Sequence, residues 1–227
     1  PEASDVKWWH SLVKEYHEAK CFDVMVNIDG NSAWPYSEDE LTLLTPIDTS
    51  LWPSPTAQND RHIMCGTWSN LCGPREEMLR NLGGTVKWIG NMPVRGNDTE
   101  EEDNIASYKL LVNFYNDCRS VLNIAYRGGD GYGGQHVKGR VIEAGLAGAV
   151  LIESAGSQTE KWFTPNEDYL TYANLDEARQ RIDWVKTHPD EAQIMADKLR
   201  NKILRDHSPR AFWDHVLGEL AKRTGRT

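Results

Sequence analysis

A glycine-rich segment followed by two cations is the part of this sequence best suited to bind an anionic ligand. Residues 127–139 contain six glycines, which adopt backbone shapes closed to other residues and let a ligand approach closely. Lys138 and Arg140 carry positive charge where a helix is predicted to begin. The first turn of a helix also offers free N–H groups and the positive end of the helix dipole, so this segment favours binding of a phosphate.

Glu143 follows Arg140 by three residues, so both side chains are predicted to lie on nearly the same helix face. A cation there suits a phosphate, and a carboxylate can accept hydrogen bonds from two neighbouring hydroxyls of a sugar. Gly134, Gln135 and His136 precede the helix and are candidates to contact the same ligand. No strict phosphate-binding motif is present, so a flexible loop before a packing helix is an equal alternative. A surface position is likewise an equal alternative for His136.

Two strands and a helix are predicted to position these residues. Apolar runs at 121–126 and 149–152 predict buried strands, and residues 140–148 predict a short helix between them. Strand, loop, helix and strand form a βαβ unit, which places loops and helix N-termini at the carboxyl edge of a parallel sheet. Ligands of such sheets bind at that edge.

The same alternation of strands and helices extends along the chain. Strands are predicted at 61–66 and 85–90, and helices at 74–82, 105–117, 175–187, after His188-Pro189 and after Ser208-Pro209. This alternation of strands and helices favours an α/β fold, a Rossmann-like parallel sheet with helices on both faces.

A second candidate site follows the first strand of this domain. A loop is predicted from residue 67 to 73, and it opens at the same sheet edge as the glycine-rich loop. Gly66 and Ser69 are placed to reach a phosphate or a sugar, and Arg75 begins the next helix. An ordinary surface cation is a slightly favoured alternative for Arg75.

Residues 1–55 predict the end of a second α/β unit. They read as an amphipathic helix at 5–20, a strand at 21–28 and a turn at 29–31. Prolines between residues 52 and 55 predict a stiff linker to the main domain at 56–227. About fifty residues are too few for a domain of usual size. A fragment of a longer protein is therefore favoured, with a separate partner chain and a reduced enzyme as alternatives.

Composition argues against several function classes. The 25 basic residues against 34 acidic ones give a net charge of −9, which disfavours nonspecific binding of nucleic acid. No apolar run has the length of a membrane span, and no signal-peptide pattern opens the sequence. The four cysteines are scattered without C-x-x-C spacing. They predict reduced thiols in a cytoplasmic protein and no metal site.

The segment KGRVIEAGLAGAVLIE at 138–153 resembles the signature of group 1 glycosyltransferases, most closely that of their spore-maturation-protein-like branch. The likeness covers roughly residues 21–217, with further short motifs in the family's order at 63–66, 75, 120–123, 160–163, 166–169, 175–178, 188–189 and 207. The resemblance implies the GT-B arrangement, two Rossmann-like domains facing a cleft. The carboxy-terminal domain then holds a nucleotide-sugar donor, and an amino-terminal domain in the same or another chain binds the acceptor.

The resemblance also implies roles for single residues. In this family a glycine and an arginine equivalent to Gly66 and Arg75 lie near the donor diphosphate. Related retaining enzymes often carry two glutamates separated by seven residues. Here Gln135 stands where the first would precede Glu143, which leaves the stereochemistry open.

The departing diphosphate of a glycosyl transfer develops negative charge, which cations and helix N-termini stabilise in metal-free sites. Lys138, Arg140, Arg75 and the loop N–H groups are the candidates here, while Glu143 is assigned to the nucleotide ribose. The catalytic residue stays unknown, with His136 and Arg140 as candidates.

The sequence therefore predicts a cytoplasmic glycosyltransferase domain that uses a nucleotide-diphosphate sugar and needs no metal or other cofactor. Peripheral attachment to a membrane is left open. The alternatives are a non-catalytic nucleotide-sugar-binding subunit that works with a partner, and a nucleotide-sugar epimerase of the same fold. The base, the sugar and the acceptor also stay open.

Overall fold

The computed structural model describes residues 15–16, 18–28, 40–68, 73–89, 100–124, 137 and 139–225. At 62, 63, 68, 73–75 and 100–107 it describes the backbone alone. Most of the helix predicted at 5–20 and the whole turn predicted at 29–31 lie outside these residues.

Five parallel strands form the main sheet. They are β3 (His62–Trp68), β4 (Val86–Ile89), β5 (Cys118–Asn123), β6 (Val150–Ser154) and β7 (Leu170–Tyr172), in the spatial order β4-β3-β5-β6-β7. Val121 at the centre of the sheet pairs with Gly66 on one side and Leu151 on the other. The predicted parallel sheet of Rossmann-like type is confirmed.

Helices connect and cover the strands of this sheet. They are α1 (Gly73–Leu82), α2 (Glu100–Asp117), α3 (Gly139–Leu146), α4 (Leu175–Thr187), α5 (Pro189–Asp206) and α6 (Pro209–Thr224). Their starts follow from local chemistry. The Asn174 side chain accepts a hydrogen bond from the Glu177 N–H at the start of α4, and Ser208 caps α6 in the same way. Proline occupies the first position of α5 and α6, where its missing N–H costs nothing.

Helices pack on both faces of the sheet because successive strand residues point to opposite sides. Val121 and Leu151 belong to one apolar cluster with residues of α2, α3 and α5. Leu122 and Ile152, the next residues along, belong to a second cluster with residues of α1, α4 and α5. Both faces of β5 and β6 are thus buried, which explains their continuous apolar runs.

Some predicted boundaries were wrong. Strand β3 continues to Trp68 instead of ending at Gly66, because Thr67 and Trp68 still pair with β4. Strand β5 begins at Cys118, three residues before its apolar run, since the polar Arg119 and Ser120 are buried with it. Strand β7 was missed because three residues are too few to show a pattern.

The front of the chain forms a small sheet and then packs on the main one. Strands β1 (Val26–Asn27) and β2 (Leu41–Thr42) pair in parallel, so only two residues of the strand predicted at 21–28 belong to a paired strand. Leu44 joins the core of the main sheet. Trp52, 4% exposed, donates its indole N–H to the Tyr108 hydroxyl at 3.2 Å. The linker is therefore anchored by Trp52, while the predicted division at residues 55 and 56 stays a prediction.

No helix in the described part of the chain is long and apolar enough to cross a membrane.

Candidate functional site

The order of the strands reverses between β3 and β5. From β3 the chain passes to β4 at one edge of the sheet, whereas from β5 it proceeds outward through β6 to β7. Ligands of open parallel sheets bind outside the carboxyl ends of the strands at such a point. The loops that follow β3 and β5 are the two loops in which the sequence predicts binding residues.

Helix α3 presents its first turn at this edge and is held firmly by its neighbours. Val141, Ala144 and Leu146 are fully buried. A Cβ atom added at Gly145 would collide with Ile203 and Leu199 of α5, so glycine is required for the close contact between the two helices. Such close packing gives the first turn a fixed position.

Arg140 lies in that first turn and is half-buried. One of its Nη1 hydrogens is donated to Asn123 Oδ1 at 2.8 Å. Asn123 is the last residue of β5 and is fully buried. The arginine is therefore tied to the carboxyl end of the central strand, at the point where the strand order reverses.

Glu143 lies one turn further along α3 and is also half-buried. Burial raises the pKa of its carboxyl to about 7, while the nearby Arg140 charge opposes that rise. Burial, followed by the charge of Glu143, raises the pKa of Tyr108 on α2 to about 12. Glu143 thus lies among Arg140, Tyr108 and, through the Tyr108 hydroxyl, the Trp52 indole.

The buried carboxylate of Glu153 is a site residue that the sequence reasoning missed. It is fully buried near the end of β6 and accepts hydrogen bonds from Asn123 Nδ2 at 2.6 Å and the Ser154 N–H at 2.8 Å. The Ser154 and Thr159 hydroxyls donate to it as well, at 3.0 and 3.3 Å. Burial raises its pKa to about 7 against the effect of these bonds. An acid at the end of the apolar run VLIES was the available signal.

The structure places Gly66 within β3, where the small size of glycine serves packing. A Cβ atom there would meet the Cys118 sulfur and the Phe114 ring, so the glycine lets α2 approach the sheet closely. Arg75 is the third residue of α1, the helix that follows the β3 loop, and only its backbone is described. The predicted donor contacts of both residues stay predictions.

The other predicted site residues, namely Ser69, Gly134, Gln135, His136 and Lys138, lie outside the described residues. Among the residues that are described, no group of three or more histidine, cysteine or acidic side chains is arranged to hold a metal ion. Metal independence stays a prediction.

A separate cavity of about 250 Å³ lies between Leu43 and Leu44 and the start of α6. Trp162, His207 and Phe212 are among its lining residues, and neither Arg140 nor Glu143 is. Arg140 and Glu143 are therefore separate from this cavity.

A family model described as glycosyl transferase-like matches residues 74–218. No curated protein matches the chain significantly.

Several solved structures share the fold. A glycosyltransferase from Rickettsia africae ESF-5 is 12% identical with a TM-score of 0.63, over 94% of this chain and 67% of that one. A variant of TarM from S. aureus, in a complex that includes UDP, is 12% identical with a TM-score of 0.62, over 92% and 46%. HepE from Anabaena in complex with UDP is 11% identical with a TM-score of 0.57, over 82% and 58%. The chain thus spans about half to two thirds of these proteins.

Proposed function

The chain belongs to the family of glycosyl transferase-like proteins, and we propose that it binds a nucleotide-diphosphate sugar and transfers the sugar to an acceptor. One observation carries the proposal. Arg140 and Glu143 lie on successive turns of a tightly packed helix, beside the carboxyl end of the strand where the strand order reverses. The two similar folds solved with UDP support a nucleoside diphosphate as the bound part of the donor.

Arg140 stabilises the diphosphate as it departs. The N–H groups that its guanidinium does not give to Asn123 can reach a ligand at the sheet edge, and the start of α3 adds the positive end of a helix dipole. The positive charge of Arg140 is already in position before the leaving group becomes negative. The site therefore does not have to reorganise during the reaction. Lys138, Arg75 and the glycine-rich loop supply the remaining contacts in this proposal, which requires no metal.

Glu143 binds the ribose. Its carboxylate can accept hydrogen bonds from both ribose hydroxyls, and the nearby Arg140 charge favours the ionised form that does so. The acceptor is bound by an amino-terminal domain in the same or another chain, which corresponds to the length of the similar structures that this chain does not cover. Membership of the spore-maturation-protein-like branch belongs to this proposal too, on the motifs at 138–153.

The test is the thermal stability of the chain with UDP, GDP, ADP, dTDP and CMP. A ligand that binds only the folded state adds about 2.7 kcal/mol of stability at a hundredfold excess over its Kd. We expect one diphosphate to raise the Tm of the wild type, and Glu143→Ala and Arg140→Ala to abolish most of that rise.

Arg200→Ala is the matched control, because Arg200 bonds to Leu146 O at the opposite end of the same helix. It should keep the wild-type response to the diphosphate. If no diphosphate stabilises the wild type, or if Arg200→Ala loses the response as completely as Arg140→Ala, the proposed donor site is wrong.

A further inference from the structure

A chain of side-chain hydrogen bonds links the buried Glu153 to Arg140. Asn123 and Glu153 are paired residues on the neighbouring strands β5 and β6. Asn123 donates its amide to Glu153 Oε2 at 2.6 Å and accepts from Arg140 Nη1 at 2.8 Å on its other side. The Tyr172 hydroxyl donates to the Asn123 backbone oxygen at 2.9 Å, which adds a tie from β7. The link thus crosses three strands and ends at the helix of the donor site.

Glu153 determines which side of the Asn123 amide faces it and which side faces Arg140. The ionised carboxylate, which is the main form above about pH 7, can only accept hydrogen bonds, so the NH₂ side of the Asn123 amide must face it. The amide oxygen then faces Arg140, which is the orientation that a guanidinium requires. With the amide reversed, its NH₂ group would meet the N–H groups of Arg140, donor against donor.

The donors around Glu153 are all neutral. In the described part of the chain no lysine or arginine lies within ion-pair distance of it, and its four hydrogen bonds come from an amide, a backbone N–H and two hydroxyls. A buried charge without a directly paired cation is costly. Arg140 is the cation that the hydrogen bonds of Asn123 connect to it.

We propose that Glu153 is a positioning residue for the donor diphosphate, because it sets the orientation of the Asn123 amide and thereby holds the Arg140 guanidinium in place. The role of Arg140 toward a diphosphate rests on the proposed function. The relation between Glu153, Asn123 and Arg140 does not, so it can be measured on the protein without a ligand.

A purely structural role for Glu153 makes a different prediction. Its bonds to Ser154 and Thr159 tie the end of β6 to the following turn, and neither bond involves Arg140. If those bonds were its whole purpose, a change at Glu153 would alter stability and leave the guanidinium of Arg140 where it is.

Glu153→Gln separates the two roles. The Ser154 N–H is a fixed donor, so the oxygen of the new amide should stay on it and the new NH₂ group should face Asn123. The Asn123 amide must then reverse and turn its NH₂ group toward Arg140. The variant should therefore break the bond to Arg140 while it keeps the bond to the turn.

Asn123→Asp in the Glu153→Gln background should restore the chain of hydrogen bonds to Arg140. The new carboxylate accepts from the new NH₂ group on one side and from Arg140 on the other. The total charge of the pair is unchanged. A rescue of this kind is not expected if Glu153→Gln acts by loosening the fold, since a second buried substitution would loosen it further.

Two measurements test the proposal. NMR of the ligand-free protein follows the Nη signals of Arg140, which are resolved separately when a hydrogen bond hinders rotation of the guanidinium. Calorimetry gives the Kd of UDP and of uridine, which lacks the phosphates.

Asp168→Asn is the matched control, because Asp168 is a second buried carboxylate that accepts hydrogen bonds from the Thr164 N–H and Lys202 instead.

We expect Glu153→Gln to average the Arg140 signals and to weaken UDP binding about tenfold or more, as loss of one charge-assisted hydrogen bond does. Uridine binding should change less than about twofold, the added Asn123→Asp should restore both readouts, and Asp168→Asn should change neither.

The proposal would be overturned if the Arg140 signals were unchanged in Glu153→Gln. It would also be overturned if the double variant showed the same averaged signals and the same weakened UDP binding as Glu153→Gln alone. Failure of UDP and the other diphosphates to bind the wild type would instead count against the proposed function. The NMR comparison of the ligand-free proteins would still decide whether Glu153 positions Arg140.

Discussion

Two arginines lie at opposite ends of the strands of the same sheet, and they are held in different ways. Arg61 lies at the amino edge, 5% exposed, and donates to the backbone oxygens of Thr56, Cys118 and Ala147. Arg140 lies at the carboxyl edge, half-buried, and in the described part of the chain its one hydrogen-bond acceptor is a side chain, Asn123.

The difference separates a structural arginine from one suited to a ligand. Carbonyl oxygens of the backbone are fixed by the fold, so Arg61 joins the linker, β5 and the end of α3 into one unit. Burial lowers its pKa to about 10, which still leaves it charged at neutral pH. Arg140 is oriented by one amide, and among the residues that the structure describes its other donors have no acceptor, which leaves them available to a ligand.

The largest effect should come from Arg61→Met. The buried oxygens of Cys118 and Ala147 and the part-buried oxygen of Thr56 lose a charged donor, and each buried group left unsatisfied costs on the order of 1–3 kcal/mol. We expect a loss of about 4 kcal/mol, or a fall in Tm of roughly 10 °C for a chain of this size. Calorimetric unfolding gives both values.

The matched variant at the carboxyl ends of the strands is Arg140→Met. It should lower the Tm by no more than about 3 °C, because Arg140 is half-buried and makes one side-chain hydrogen bond within the described part of the chain. Below the unfolding temperature Arg61→Met should bind UDP as the wild type does. Equal losses of stability in the two variants would remove the contrast between the edges.

The second effect concerns the pH dependence of stability. The folded protein raises the pKa of Glu153 from 4.5 to about 7, so the folded state binds the proton more tightly than the unfolded chain. Stability should therefore fall as the pH rises from about 4.5 to 7, by about 3 kcal/mol for this group, and then level off. Burial, followed by the charge of Glu153, raises the pKa of the neighbouring Tyr169, so the tyrosine stays uncharged over this range.

Urea unfolding of the wild type and Glu153→Gln across this range checks the sign. The variant should show a clearly shallower decline, and the remaining slope should include the contribution of Glu143. Parallel curves for the two proteins would mean that Glu153 titrates normally in the folded state.

The smallest effect is on binding of the ribose. Burial places the pKa of Glu143 near 7, and only its ionised form accepts hydrogen bonds from both ribose hydroxyls. The affinity for uridine should therefore rise by up to about tenfold between pH 6 and 8, in proportion to the ionised fraction. Uridine is the suitable probe because it has no phosphate to titrate or to contact Arg140.

NMR titrations at several pH values measure this dependence, and Glu143→Gln should flatten it. A pH dependence that persists in Glu143→Gln would assign the ribose to another group. This result would also distinguish the two carboxyl groups. A change at Glu143 should alter the binding of uridine, whereas a change at Glu153 should weaken the binding of UDP and leave the binding of uridine nearly unchanged.

Periodicity was enough to predict the α/β class, the parallel sheet and most helices. The β-prone runs at 121 and 149 and the prolines at 189 and 209 mark elements by local chemistry alone. The short strand β7 and the extension of β3 to Trp68 could not be predicted, because both exist through pairing with strands distant in sequence. Gly66 was predicted to reach a phosphate or a sugar, whereas its place beside Cys118 and Phe114 depends on tertiary packing.

The sequence by itself determined that Arg140 and Glu143 share one face at the start of a helix, since a spacing of three residues needs only helical geometry. Only the tertiary structure decided that Asn123, Arg140 and Glu153 form one hydrogen-bonded chain, because their contact depends on the register of β5 against β6. Burial likewise raised the pKa values of Glu143 and Glu153, and burial is a property of the whole fold. Local spacing can place residues on one element, whereas the chemistry between elements is set by packing.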